Sequence, residues 1–244
     1  MMVQLLTIVA SFIVALSAGC ASSQGFDRTA MNEALHVEPT PIPESQSLAS
    51  QNVHLPTPVR LGIFFVSHDF PHRQSIRKVE WLARDREQLL RELSPLQDTH
   101  VLQDAFVLMD ATLRGEDIRG IRQAGARYGA DVVLIVDGVA AVDRYNNRFA
   151  WLYPTLLGAY LAPGTESDAL VMVTGGLWAV RSEWHAPMQT VEGTSTLVGS
   201  AVLVEDIAAL QEAKKHVIRA LGQRIVDRFP YWIQELPPPA PHSR

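Results

Sequence analysis

Cysteine is almost missing from this chain. Its 244 residues include a single one, Cys20, which excludes an intramolecular disulfide framework and a cysteine-rich zinc site. Aromatic residues make up only 7% and charged residues 19%. Positive charge is nowhere in excess: 21 Lys and Arg stand against 26 Asp and Glu, for a net charge of −5 and a pI near 5.9. That balance argues against a nucleic-acid binder held by a basic face. Beyond residue 20, no segment has the roughly 18 uninterrupted apolar residues that a membrane-spanning helix needs. There is no G-x-x-x-x-G-K-S/T phosphate loop, no G-x-S-x-G nucleophile elbow and no internal repeat. Apolar residues are plentiful, at 47%. That is enough to bury a sizeable core and to exclude a fully disordered chain. Much of the slightly positive mean hydropathy, +0.05, comes from the first 20 residues.

Residues 3–18 carry no charge and include Leu5, Leu6, Ile8, Val9, Phe12, Ile13, Val14 and Leu16. This is the length of a signal-peptide apolar region. It runs into Leu16-Ser17-Ala18-Gly19-Cys20-Ala21, which resembles a bacterial lipobox. Cleavage before Cys20 makes it the first mature residue, with its thiol carrying diacylglycerol. Two features depart from the usual pattern. Ser17 stands where leucine is common, and the start, Met1-Met2-Val3-Gln4, lacks Lys and Arg. Each buried CH₂ contributes about 0.8 kcal/mol, so two or three acyl chains hold a protein on a membrane almost permanently. Ala21, rather than Asp, follows the cysteine. Under enterobacterial sorting logic this resembles an outer-membrane lipoprotein facing the periplasm.

The expected organisation is a signal peptide over 1–19, a lipidated disordered tether over 20–57, one α/β domain over 58–236 and a proline-rich tail over 237–244. The tether contains Pro39-Thr40-Pro41-Ile42-Pro43 and many small polar residues. As a coil of that length it spans roughly 35 Å and holds the domain clear of the membrane. Within the domain, residues 59–66, 100–109 and 131–142 read as strands. Helical spacing marks 76–93, 115–128, closed by Gly129, and 205–229. Residues 143–148 read as a polar turn, and 151–161, 169–180 and 184–197 as further strands. The fold class is α/β: a mixed sheet with a parallel βαβ start, antiparallel C-terminal hairpins and a long closing helix.

Two stretches carry a family resemblance. Tyr128-Gly129-Ala130-Asp131 precedes an apolar strand. Later comes Trp151-Leu152-Tyr153-Pro154-Thr155-Leu156-Leu157-Gly158-Ala159-Tyr160-Leu161-Ala162-Pro163-Gly164. With the lipobox, these are similar to the rhombotarget lipoprotein family over about residues 58–230. The βαβα start also resembles the N-terminal domain of TolB and PelC-like lipoproteins. The resemblance implies a non-enzymatic envelope lipoprotein. The family name implies association with a rhomboid-type protease, but Pro230-Tyr231-Trp232-Ile233 and a proline tail follow Phe229, so cleavage of this chain is not carried over.

Candidate chemistry is thin. Ser67-His68-Asp69 holds triad letters in a row, but neighbouring residues on a strand point to opposite faces and form no relay. His68, Asp69 and His72 offer three metal ligands within five residues, in a loop where α/β sheets often place ligand crevices. Pro71 opposes the helix that would align the two histidines. Asp137 near the end of an apolar strand is either a buried carboxylate or one that turns to solvent or takes backbone hydrogen bonds. No cofactor, metal or catalytic residue is assigned.

The best candidate surface is 151–163. Read as a strand, both of its faces are apolar, and Pro154 places it at an edge. Trp151, Tyr153 and Tyr160 are then the expected contact residues for a protein partner or a second copy. Three functions follow. The first is a membrane-anchored binding or scaffold lipoprotein without enzymatic activity. The second is a hydrolase or metal enzyme using His68, Asp69 and His72. The third is a structural homo-oligomer of an envelope or export assembly. The expected contacts are the membrane, through the N-terminal lipid, and protein, with no nucleic acid.

Overall fold

The computed structural model describes residues 22–35, 57–67, 76–109, 118–182 and 184–234. Six strands and six α-helices alternate along it. In chain order they are α1 (Arg28–Ala34), β1 (Val59–Phe65), β2 (Ile76–Lys78), α2 (Ala83–Glu92), α3 (Ser94–Asp98), β3 (Leu102–Val107), α4 (Ile118–Arg127) and β4 (Val132–Asn146). A 3₁₀ turn (Arg148–Leu152), α5 (Leu156–Leu161), β5 (Thr165–Ala179), β6 (His185–Gly199) and α6 (Asp206–Gln234) follow. The sheet order is β3-β1-β4-β5-β6, and β2 also pairs with β4. β1 runs parallel to both β3 and β4. The short connection from β5 to β6 makes that pair antiparallel, because a parallel pair needs a crossover. The expected α/β class, with its parallel start, hairpin and long last helix, is the observed one.

The chain divides into two compact units. The larger comprises Arg28–Ala140, Val171–Gly193 and Lys214 onward. The smaller comprises the chain up to Asp27, Ala141–Leu170 and Thr194–Ala213. The boundaries fall inside β4, β5, β6 and α6.

In the larger unit, β1 and the first half of β4 are buried on both faces, which explains their near-continuous apolar sequence. One face carries Phe64, Val66, Val133 and Ile135, packed with Ile121 of α4 and with Trp178 and Val180. The approach of α4 is close, since a Cβ at Gly125 would stand 2.6 Å from Val133. Gly129 closes α4 at φ +73, a left-handed conformation that glycine adopts without steric cost. On the other face Leu221 of α6 meets Gly175 and lies near Leu134. Val217, Leu221, Ile225 and Phe229 recur every fourth residue and are all buried. Helices thus cover both faces of the sheet in this unit.

Four expectations about elements are corrected. Residues 76–78 form a strand, not the start of a helix. β2 continues the row beside β4 that β1 leaves, with Val66 N–H bonding Val136 O and Val79 N–H bonding Gly138 O. The helix starts only at Ala83, where the Asp85 carboxylate accepts from the Leu82 N–H at 2.8 Å. Residues 143–146 continue β4 rather than turning. The last helix runs through Pro230 to Gln234, because buried Trp232 lies one turn on from Phe229 and keeps the chain on the core.

The fourth concerns the tether. Residues 22–35 are ordered, not a free linker. α1 buries Met31 completely and Ala34 and Leu35 nearly so. Its last carbonyls are held as well: Lys78 Nζ donates to Ala34 O at 3.0 Å. Three apolar side chains in a short segment were enough to outweigh its polar composition.

The same ammonium neutralises Asp137. That carboxylate is 1% exposed; it takes Lys78 Nζ at 2.8 and 3.1 Å and the Gly138 N–H at 2.7 Å. Asp137 is therefore buried and paired, not turned to solvent. A second buried pair, Lys214 with Asp85 at 2.5 Å, joins α6 to α2, and Lys214 also donates to Glu80 O.

Removing one partner of such a pair strands a charge. We expect Lys78→Met to lower unfolding stability by about 3 kcal/mol, and Lys78→Met with Asp137→Leu to recover most of that loss. Urea unfolding of the three proteins checks this. Equal midpoints for wild type and Lys78→Met would show that the pair contributes nothing.

Candidate functional site

In the smaller unit a run of large apolar side chains meets solvent. The segment expected to be a strand over 151–161 is a 3₁₀ turn followed by α5. Polar caps decide this. Asn147 Oδ1 accepts from the Phe149 N–H at 2.9 Å and starts the 3₁₀ turn. Thr155 Oγ1 accepts from the Gly158 N–H at 2.9 Å and starts α5. Gly158 has to be small, because a Cβ there would overlap the Leu152 carbonyl. The edge-strand argument built on Pro154 falls with the strand.

The apolar excess now has another geometry. Leu157, Tyr160 and Leu161 lie at i, i+3 and i+4, on one stripe of α5. Their exposures are 74%, 55% and 74%, and Trp151 on the 3₁₀ turn is 68% exposed. An amphipathic helix on a globular protein normally turns such a stripe inward; this one turns it outward. Val198, Val202, Leu203 and Ile207 of the same unit are exposed as well. Tyr160, Leu161 and Pro163 line an open groove of about 350 Å³ together with Leu197–Ser200, Leu203, Val204, Glu205 and Ala208. Residues 198–204 carry no expected element or site in the sequence. The apolar run Ala201-Val202-Leu203-Val204 after Gly199-Ser200 was the available signal.

Of the three expected contact residues, Trp151 and Tyr160 are exposed and Tyr153 is not. Tyr153 is half-buried and its hydroxyl is 2.7 Å from the hydroxyl of buried Thr165. Cys20, His68, Asp69 and His72 lie outside the described residues. Among the described residues no group of three or more His, Cys, Asp or Glu is placed to hold a metal ion, and no helix is long and apolar enough to cross a membrane.

Carboxylates in this unit serve hydrogen bonding. The Tyr145 hydroxyl lies 2.8 Å from Glu166 Oε2 and 3.1 Å from Asp168 Oδ2. Asn147 Nδ2 donates to Glu166 Oε1 at 2.8 Å and to Pro163 O at 2.9 Å. Thr196 donates to Asp168, and Ser167 to Asp206. Donation from Asn147 and then from Tyr145 holds the Glu166 carboxyl below its ordinary range, against a smaller opposing effect of burial. The Tyr145 phenol is pushed well above its ordinary value, first by the Glu166 bond and then by burial. This network braces the loop after β4 against β5.

The N-terminal segment enters the same unit at Asp143. One oxygen of that carboxylate, Oδ2, accepts from Ser23 Oγ at 2.7 Å, Gln24 N–H at 2.8 Å and Gly25 N–H at 2.9 Å. Three donors on one ionised oxygen form a charge-assisted clamp. Gly25 sits at φ +73, which lets two successive N–H groups converge on the carboxylate.

These features define an α/β protein whose smaller unit carries an outward-facing apolar surface. No family model matches the sequence, and no curated protein matches it. Among solved structures the chain is similar to a putative neuraminyllactose-binding hemagglutinin homolog from Helicobacter pylori. The identity is 10% and the TM-score 0.39, covering 74% of this chain and 94% of that one. It is also similar to a minor lipoprotein from Acinetobacter baumannii, at 16% identity and TM-score 0.35, with coverages of 77% and 99%. A third likeness is to the PelC dodecamer from Paraburkholderia phytofirmans, at 13% identity and TM-score 0.29, with coverages of 71% and 91%.

The Glu166 network gives a pH prediction. A carboxyl with a lowered folded pKa adds stability that is present above the ordinary carboxylate range and is lost as pH falls below it. Tyr145→Phe removes one donor and lets the Glu166 pKa rise. We expect acid unfolding, followed by circular dichroism, to shift to higher pH in this variant. A midpoint unchanged from wild type would remove Tyr145 from the account.

Proposed function

We propose that this chain is a lipid-anchored lipoprotein of the bacterial cell envelope. It acts as a non-enzymatic binding or scaffold module, and its contact surface is the apolar face of the smaller unit. The observation that carries the reading is the outward stripe Leu157, Tyr160 and Leu161 beside Trp151. Contiguous exposed apolar surface of this kind marks an interaction site more often than chance. The lipobox-like Leu16-Ser17-Ala18-Gly19-Cys20 supplies the anchor and, with Ala21 following, the outer-membrane placement. The resemblance to the rhombotarget lipoprotein family agrees with this reading. Within the contact surface the working residues are Trp151 and Tyr160, while Tyr153 positions the loop through Thr165.

The anchor is tested by growing cells with a labelled fatty acid. The wild-type chain takes up label and Cys20→Ala does not. Label retained in Cys20→Ala would remove acylation at Cys20 from the reading. The surface is tested in the full chain with Tyr160→Asp. Because this side chain is exposed, we expect the melting temperature to stay near wild type while association with membrane or protein weakens. A large fall in melting temperature would make Tyr160 a structural residue instead.

A further inference from the structure

The clamp at Asp143 fixes how far the folded protein can stand from its anchor. Ser23 is held on the smaller unit at 2.7 Å from Asp143, and Cys20 precedes it by three residues. Three residues span at most about 10 Å even when fully extended. The long flexible tether that the composition implied is therefore not available to lift this unit. With the two side chains and their hydrogen bond added to that span, Asp143 lies within roughly 20 Å of an acylated Cys20.

Asp143 is also close to the apolar surface along the chain. It lies three residues before the end of β4, a distance of about 10 Å at the strand rise. Immediately beyond comes the 3₁₀ turn with Phe149 and Trp151, and then the exposed stripe of α5. The charge pattern is suited to the same neighbour. Residues 148–164 contain one charge, Arg148, and residues 195–204 contain none. The nearest carboxylate is Glu205, at the edge of the groove, and the arginine beside the apolar stripe is attracted to headgroup phosphates. Tryptophan and tyrosine next to leucines have the chemistry of the membrane interface, where rings sit at headgroup level and aliphatic chains enter the acyl boundary.

We infer that the occupant of this apolar face is the lipid surface itself: the smaller unit seats Trp151, Leu157, Tyr160 and Leu161 in the bilayer interface beside its own anchor. The inference rests on the acylation of Cys20 proposed above. It deepens that reading, because the contact surface then orients the protein on the membrane instead of projecting toward a partner.

Trp151 is a built-in reporter. Of the five tryptophans, Trp81, Trp178 and Trp232 are buried and Trp184 is half-buried, leaving Trp151 as the exposed one. The full-length acylated chain is placed in vesicles of phosphatidylethanolamine and phosphatidylglycerol, with and without bromine near the carbonyl end of the acyl chains. Bromine quenches only indoles at that depth. The expected result is lower emission from the wild type in brominated vesicles and no difference for Trp151→Phe. Labelled fatty acid on Cys20 is measured on the same samples. Label present with emission equal in both lipids overturns the lipid seat and leaves the anchor standing. Label absent overturns both. If Trp151 is shielded from aqueous iodide yet unquenched by bromine, a protein covers the face, in a second copy or another chain, and the lipid seat is again overturned.

Discussion

One buried charge sets much of the larger unit. Asp137 sits on β4, the strand between β1 and β5, where an unpaired carboxylate would cost several kcal/mol. Its partner is Lys78, on the three-residue strand β2. The same ammonium holds the end of α1 through Ala34 O. A single side chain thus fixes β2 against β4 and draws an N-terminal helix onto the core. The carboxylate thus adds to what the pairing of β2 with β4 and the burial of Met31, Ala34 and Leu35 already supply, since a helix of seven residues is marginal on its own.

The sequence was legible where one pattern dominated. β1, the first half of β4 and the stripe of α6 are buried on the faces their spacing required, and Gly129 closes α4 as its position implied. It was least legible where side-chain capping decided the outcome. Over 151–163 the apolar residues satisfy a strand and a helix equally well, and Asn147 and Thr155 select the helical turns. Residues 28–35 failed for a different reason. Composition says that a segment is polar on average, whereas Met31, Ala34 and Leu35 needed only one complementary hollow. Ile76 to Lys78 reads as helix by spacing because the competing interaction, a place beside β4, is far away in sequence.

The candidate site was half legible. Trp151 and Tyr160 stood out as surplus apolar groups, and both are exposed. Tyr153 had the same appearance in the sequence but bonds Thr165, and nothing local distinguishes it. Val198, Val202 and Leu203 were missed because they follow a strand and precede a helix, where attention goes to turn chemistry. The acidic residues Glu166 and Asp168 are close in space to each other and to Tyr145, an arrangement that elsewhere accompanies acid–base catalysis. Here Asn147, Tyr145 and Thr196 donate to their oxygens and tie β4, the loop after it, β5 and β6 together.

The Asp143 clamp also changes the arithmetic of attachment. For a chain fastened at Cys20, any second contact with the same bilayer is an intramolecular event, governed by an effective concentration and not by a free affinity. That concentration falls roughly as the −3/2 power of linker length, so shortening the free linker from 37 residues to three raises it on the order of 40-fold. A surface patch too weak to bind lipid from solution can then remain docked for most of the time.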